Sequence, residues 1–235
     1  MDAPFVREYT EDRELNAWFL LDLSPSVDFG TVEIDRQKRT VLIDFVTTLA
    51  RLLTRRGNRV GAVLYGGQTQ RTIPAGSGRV QVLHLVDALL RQPRLASAPF
   101  TDLTPLLEIG HKTIKRRSLV FVISDFISEP GWERPLDLLD RRHEVMAVRL
   151  VDPREVALPD VGPVILDDAE TGEQLYVDTG DPAFRKRFKA AGLAREAAIG
   201  EAFRRAGVEA VSLSTDEDLV RAIVRMAMLR RRRRR

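Results

Sequence analysis

Asp22, Ser24 and Ser26 are the residues whose types and spacing most invite chemistry. They place one acid and two hydroxyls at every second position, D-x-S-x-S, at the end of the apolar run Asn16–Leu23. One negative and two neutral oxygens on a tight loop suit a hard cation such as Mg²⁺ or Mn²⁺. The same residues also suit turn and cap chemistry with no ligand at all. Asp125 ends a second apolar run, Ser118–Ser124, and Thr101 lies in a loop ahead of a Thr-Pro helix start. Taken alone, Asp125 serves a metal or a loop amide equally well. If the two runs are neighbouring strands, their carboxyl ends face one crevice, where open α/β sheets bind ligands. Two carboxylates there repel unless a positive ion lies between them. A divalent cation with Asp22 and Asp125 is close to neutral, and the hydroxyls of Ser24, Ser26 and Thr101 with water make roughly six oxygen ligands. Such an ion has charge enough to accept one more carboxylate, from a partner protein.

The elements around these residues must bring them together. Ala17–Leu23, Arg59–Tyr65, Ser118–Ser124 and Val145–Leu150 are short apolar runs that read as strands buried on both faces. Thr69–Ile73 reads as a short strand antiparallel to its predecessor, and Glu209–Leu213 as the last strand. Helical spacing marks 36–56, with Leu42, Phe45, Leu49 and Leu52 as its stripe, and then 79–92, Thr104 to about Lys115, 131–142 and a long helix opened by Asp181-Pro182 and stopped by Gly207. Thr104 is the expected N-cap of its helix, with Pro105 first inside. Ser214-Thr215-Asp216-Glu217 reads as a capping box opening the final helix, with Leu219, Ile223 and Met226 inward. Phe5–Tyr9 alternates weakly, as a short edge strand would. Residues 161–178 break the rhythm with a β-hairpin turned at Thr171-Gly172. The sum is an α/β, doubly wound, mostly parallel sheet with helices on both faces and a hairpin insertion. Residues 1–15 form a lead-in, 16–229 one domain and 230–235 an arginine tail.

Composition narrows the function classes. The chain has no cysteine, which removes disulfides and thiolate metal sites. No stretch is long and apolar enough to cross a bilayer, and the first residues are too charged for a signal peptide, so a cytoplasmic place, or one at the inner face of the membrane, is expected. Arg230–Arg235 supply more positive charge than the whole net +3, so the rest of the chain is net acidic. A basic nucleic-acid-binding surface is therefore not expected, and no aromatic residue is interleaved with the tail to stack on bases.

With these motifs in hand, a resemblance is visible. D22-L-S24-P-S26, T101-D102-L and S124-D125 resemble the metal site of von Willebrand factor type A domains. The longer text VREYTEDRELNAWFLLDLSPSVDFG, RLLTRRGNRVGAVLYGG and RRSLVFVISDFI is similar to the bacterial domain-of-unknown-function family fifty-eight. The resemblance implies a metal-ion-dependent adhesion site holding Mg²⁺ or Mn²⁺ on Asp22, Ser24, Ser26, Thr101 and Asp125. It also implies a MoxR-type AAA+ ATPase as partner, in chaperone-like assembly or stress response, and a binding module in place of an enzyme. Many relatives have Met where this chain has Val27, which should pack equally well. Relatives also carry an upstream region, often with membrane helices. This chain begins just after it, so membrane anchoring is not carried over.

The rival reading is a metal-dependent phosphoester hydrolase using Asp22 and Asp125. It lacks an evident general acid or base and a Lys or Arg beside the metal loops. A haloacid-dehalogenase-like phosphatase would want a second Asp where Ser24 stands. Gly66-Gly67 and Gly76-x-Gly78 lack the Lys-Ser/Thr of a phosphate loop. His84, His111 and His143 have no zinc-ligand spacing and read as surface or half-buried residues.

Overall fold

A computed structural model describes residues 15–28, 37–66, 69–94, 101–167 and 173–233. The strand expected at Phe5–Tyr9 and the Thr171-Gly172 turn lie outside these residues, as do most of the loops 28–35 and 93–100. The buried runs become the middle of one sheet. Asn16–Asp22 (β1) lies between Arg59–Gly66 (β2) and Leu119–Ser124 (β4), parallel to both. Glu144–Val151 (β5) and Ala210–Ser214 (β8) continue parallel on one side, and Thr69–Gly76 (β3) closes the other edge antiparallel to β2. The order is β3-β2-β1-β4-β5-β8, so the switch point falls between β1 and β4, as expected from their sequences. Pro163–Asp167 (β6) and Gln174–Asp178 (β7) pair only with each other, as a separate hairpin sheet.

Side-chain alternation on β1 divides the core into two layers. Phe19 and Leu21 face Lys38–Thr54 (α1), Gly78–Leu90 (α2) and Leu219–Arg233 (α6), with Phe19 stacked on Phe121 at 5.4 Å. Leu20 faces Thr104–Thr113 (α3), Glu133–Arg142 (α4) and Pro182–Ala206 (α5). Val27 is fully buried in the first layer.

Several local expectations change. Leu52 is 46% exposed, and the inward stripe of α1 is Leu42, Phe45, Val46 and Leu49. Helix α3 begins at Thr104, whose N–H donates to Asp102 Oδ1 at 2.8 Å, so the carboxylate two residues upstream caps the helix and not the Thr104 hydroxyl. The Ser214–Glu217 box does not form. Thr215 Oγ1 donates to Asp152, Glu217 pairs with Arg225, and Asp218 accepts from Arg221 N ahead of Leu219. Arginines 230–233 are still helical, and Arg230 pairs with Glu144 of β5 at 2.5 Å. Asp181 and Gly207 act as expected, Gly207 at φ 65°.

Helix α3 approaches β1 closely because Gly110 has no side chain. A Cβ there would stand 2.5 Å from Leu20 Cδ1, inside the core. Valine gains only a few tenths of a kcal/mol of helix propensity over glycine, whereas overpacking costs about 1–3 kcal/mol. Gly110→Val is therefore expected to lower the unfolding free energy by about 1–2 kcal/mol, read from urea denaturation; an unchanged midpoint would refute the close approach.

Candidate functional site

Asp22 is the last residue of β1 and is fully buried. Ser24 N donates to its Oδ1 at 3.0 Å, and Ser124 Oγ, from the end of β4, donates to its Oδ2 at 2.7 Å. The chain then tightens into a 3-10 turn at Pro25–Asp28, closed by Val27 N donating to Ser24 O. This turn brings the Ser24 and Ser26 hydroxyls to 3.1 Å of each other. Asp28 holds the far end of the turn against buried Arg39, which also donates to Gln92 O.

Asp125 follows β4 and is equally buried. Its Oδ1 accepts from Ile127 N at 3.0 Å and its carbonyl from Arg149 Nε at 3.2 Å. The next residue, Phe126, has φ 58°, a left-handed backbone that a bulky side chain adopts at a cost of about 1–3 kcal/mol. Packing holds it there. Its ring lies 5.2 Å from Trp132 and 4.7 Å from Phe203, and its N–H donates to Ser124 Oγ. Ser124 Oγ thus accepts from Phe126 and donates to Asp22, tying the two strand ends together.

Thr101 is buried, and its carbonyl accepts from Glu129 N, in the loop beyond Asp125. Leu103 N donates to Ser128 Oγ in the same loop. Tyr65, opposite Asp22 in the sheet register, has its phenol pushed up by burial and then by Asp102 and Asp22 together. The Thr101-Asp102 segment is thus tied to the loop that follows Asp125. The structure gathers Asp22, Ser24, Ser26 and Asp125 at the switch point and brings the Thr101 loop beside them.

Sequence reasoning missed the cation of this site. Lys38, the first residue of α1, is fully buried, and its Nζ donates to Asp125 Oδ2 at 2.9 Å, Glu155 Oε1 at 2.5 Å and Ser26 O at 3.3 Å. A lysine in the first turn of a helix opposes the helix dipole, and that was the readable signal. Burial favours losing its proton, but Asp125 and Glu155 outweigh burial and hold the ammonium above its ordinary range. Glu155 is placed by a capping box on Pro153–Glu155, where Asp152 accepts from Arg154 N and Glu155 Oε2 accepts from Asp152 N. Helix α5 backs this turn. A Cβ on Gly192 would stand 3.0 Å from Glu155 O and Val156 Cα, and Arg195 donates to Glu155 O. Arg149, beside Asp125, is matched by Glu196 of α5 through two 2.5 Å bonds.

The charges do not balance. Among the described residues Lys38 pairs with two carboxylates, Asp125 and Glu155, while Asp22, close enough to Asp125 to feel its charge, has no ion pair. Burial and then Asp125 push the Asp22 carboxyl up to about 6, with hydrogen bonds from Ser124 and Ser24 offsetting part of the rise. No group of three or more His, Cys, Asp or Glu side chains placed for a metal occurs among the described residues. A cation here would rest on two carboxylates completed by hydroxyls. That oxygen-only, net-negative set fits a hard divalent ion and does not fit a soft one. His143 is buried with neither ring nitrogen partnered among the described residues, which corrects its surface or half-buried reading. His84 and His111 are exposed.

Comparison with known proteins gives the chain relatives. The sequence model of the family described as "Protein of unknown function DUF58" matches residues 1–198. An uncharacterized protein of Mycobacterium tuberculosis is 36% identical over 229 residues, 97% of this chain and 71% of that protein. An uncharacterized protein of Mycobacterium avium is 37% identical over 160 residues, 68% of this chain and 94% of that one. Among solved structures, the conserved hypothetical protein BatB from Bacteroides thetaiotaomicron superposes with a TM-score of 0.57 at 13% identity, covering 91% of this chain and 99% of that one. An aerotolerance-related membrane protein from Bacteroides fragilis gives 0.59 at 10% identity, over 91% and 97% of the two chains. These two are alike in fold. No helix among the described residues of this chain is long and apolar enough to cross a membrane.

The buried acid has a pH signature. Because the Asp22 carboxyl titrates higher folded than unfolded, its stabilising contribution is full below pH 3.8 and is lost as pH rises through about 6. His143 acts oppositely. Burial, Arg142, His111 and Arg117 push it down to about 4, so its contribution is present above pH 6.5 and lost as pH falls toward 4. The two windows overlap, so a difference between variants is needed. In EDTA, Asp22→Asn is expected to exceed wild type in stability at pH 7 by on the order of 2 kcal/mol, a gap that closes toward pH 4. Parallel stability curves from denaturant titrations would contradict this.

Proposed function

The chain belongs to the DUF58 family, proteins of unknown function, and we propose that its switch-point site is a divalent-cation-dependent docking site for another protein. The observation that carries this reading is the fully buried pair of acids Asp22 and Asp125 at the switch point, of which only Asp125 has an ion pair, to Lys38, among the described residues. Asp22, Ser24, Ser26, Thr101 and Asp125 would hold Mg²⁺ or Mn²⁺ in the manner of a von Willebrand factor type A domain. The ion would supply a Lewis-acidic point able to take a carboxylate from the partner. Asp125 accepts from Lys38 and Ile127 N, and Asp22 from Ser24 N and Ser124 Oγ, so both carboxylates are fixed in orientation with lone pairs to spare. Such a preset shell costs little reorganisation on binding. The partner class we propose is a MoxR-type AAA+ ATPase, with this chain as its adaptor in chaperone-like assembly or stress response.

The hydrolase reading gains no support from Lys38. A cation that stabilises a phosphoryl group must reach it, whereas the Lys38 ammonium is wholly buried with donors on Asp125, Glu155 and Ser26 O. The reading proposed is therefore a binding module and assigns no reaction to the site.

Two measurements test this function. Calorimetric titration is expected to show Mg²⁺ or Mn²⁺ binding to wild type and none to Asp22→Ala, with Mg²⁺-dependent capture of the ATPase lost in that variant while circular dichroism stays unchanged. Capture that survives both Asp22→Ala and EDTA would sink the reading. Lys38→Met leaves the buried carboxylates uncompensated and should cost about 3–5 kcal/mol in EDTA. Saturating Mg²⁺ should restore more stability to that variant than it adds to wild type; a variant indifferent to Mg²⁺ would show that the site takes no ion.

A further inference from the structure

Two exposed apolar surfaces outside the Lys38 cluster are set among opposite charges, and neither is covered by the described residues. The first is the β6–β7 hairpin. Ile165 and Tyr176 are register partners and so share one face, 59% and 71% exposed, and Leu175 is exposed at 60%. From Asp160 to Asp181 every charged residue is acidic. The hairpin pairs with no other strand of the described chain. A two-stranded sheet standing alone is marginally stable, and it gains from being packed on one face.

The second surface is the outer side of α6. Its inner side is used by Ala222 and Met226. Val220, Val224 and Met228, spaced four apart, form another stripe that is 67%, 46% and 61% exposed. This stripe, with Arg221, Arg225 and Arg232, lines a shallow open groove along α6 itself, every lining residue belonging to that helix. Arg225 is tied to Glu217, but Arg221 and Arg232 have no ion pair among the described residues. An apolar strip of this length rimmed by cations is the mark of an interaction surface.

We propose that the hairpin of one copy of this chain docks in the α6 groove of another. The occupant follows from the chain itself. The groove calls for an exposed apolar face set among acids, and the hairpin is such a face. Opposite charges around the two apolar centres steer the encounter and set its polarity, and apolar burial holds it. Since the two surfaces differ, the contact is head to tail. Each added copy presents a fresh groove or hairpin until the geometry closes.

Light scattering and sedimentation of the full chain test this. Wild type is expected to gain mass with concentration at low ionic strength and to lose it on adding salt. Ile165→Thr/Tyr176→Thr disables the hairpin, and Val220→Gln/Val224→Gln disables the groove. Both pairs are exposed, so circular dichroism should match wild type. Each variant alone should lose at least about tenfold in association constant. Mixed together, one variant contributes an intact groove and the other an intact hairpin, so the mixture should form a dimer and nothing larger. Wild type that stays monomeric at every concentration overturns the proposal, including where α6 proves instead to bind vesicles of anionic lipid. Variants that associate as strongly as wild type overturn it as well.

Discussion

A single ammonium group organises the carboxyl edge of the sheet. Lys38 is fully buried, at the unfavourable end of a helix dipole, and it remains charged because Asp125, Glu155 and the Ser26 carbonyl converge on it. Each of these acceptors belongs to a different part of the chain. Ser26 belongs to the turn after β1, Asp125 to the end of β4, and Glu155 to the turn after β5. One side chain therefore bonds three loops at once and helps set their spacing. Such a pair contributes little net stability when intact, since desolvation offsets attraction, but it tolerates no missing member. It defines one arrangement of the loops and excludes others.

Around this clamp the site is built from rigid parts. Ser124 joins the two central strands by accepting from one loop amide and donating to Asp22. Phe126 is driven into a left-handed backbone, which turns the chain sharply after Asp125 and buries an aromatic ring against Trp132 and Phe203. Strain at that residue and packing of its ring are two sides of one device. The turn points the Asp125 carboxylate toward α1, and the aromatic cluster keeps it from relaxing.

The fold was readable because its signals are local. Runs such as Phe19–Leu23 and Leu119–Ile123 can only be buried strands, and their adjacency follows from the topology of doubly wound sheets. Asp22 and Asp125 were readable because acids at strand ends have a known place. Lys38 and Glu155 were not, since burial of a charge is a property of the assembled loops, and the one local signal, a lysine in the first turn of a helix, says nothing of burial. The errors at Thr104 and at Ser214–Glu217 have a related cause. Several oxygens compete for each helix start, and tertiary partners such as Asp152 decide which is left free. Leu52 was misplaced because α1 meets the sheet along a narrower stripe than its apolar sequence suggests.

The bare backbone at Gly192 has a mechanical consequence. There α5 rests directly on the turn that carries Glu155, with no side chain to cushion the contact. The helix spans Pro182–Ala206, so arms of roughly 15–20 Å extend to either side of that fulcrum. A force applied at either tip of the rod would be delivered, undamped, to the glutamate that grips Lys38.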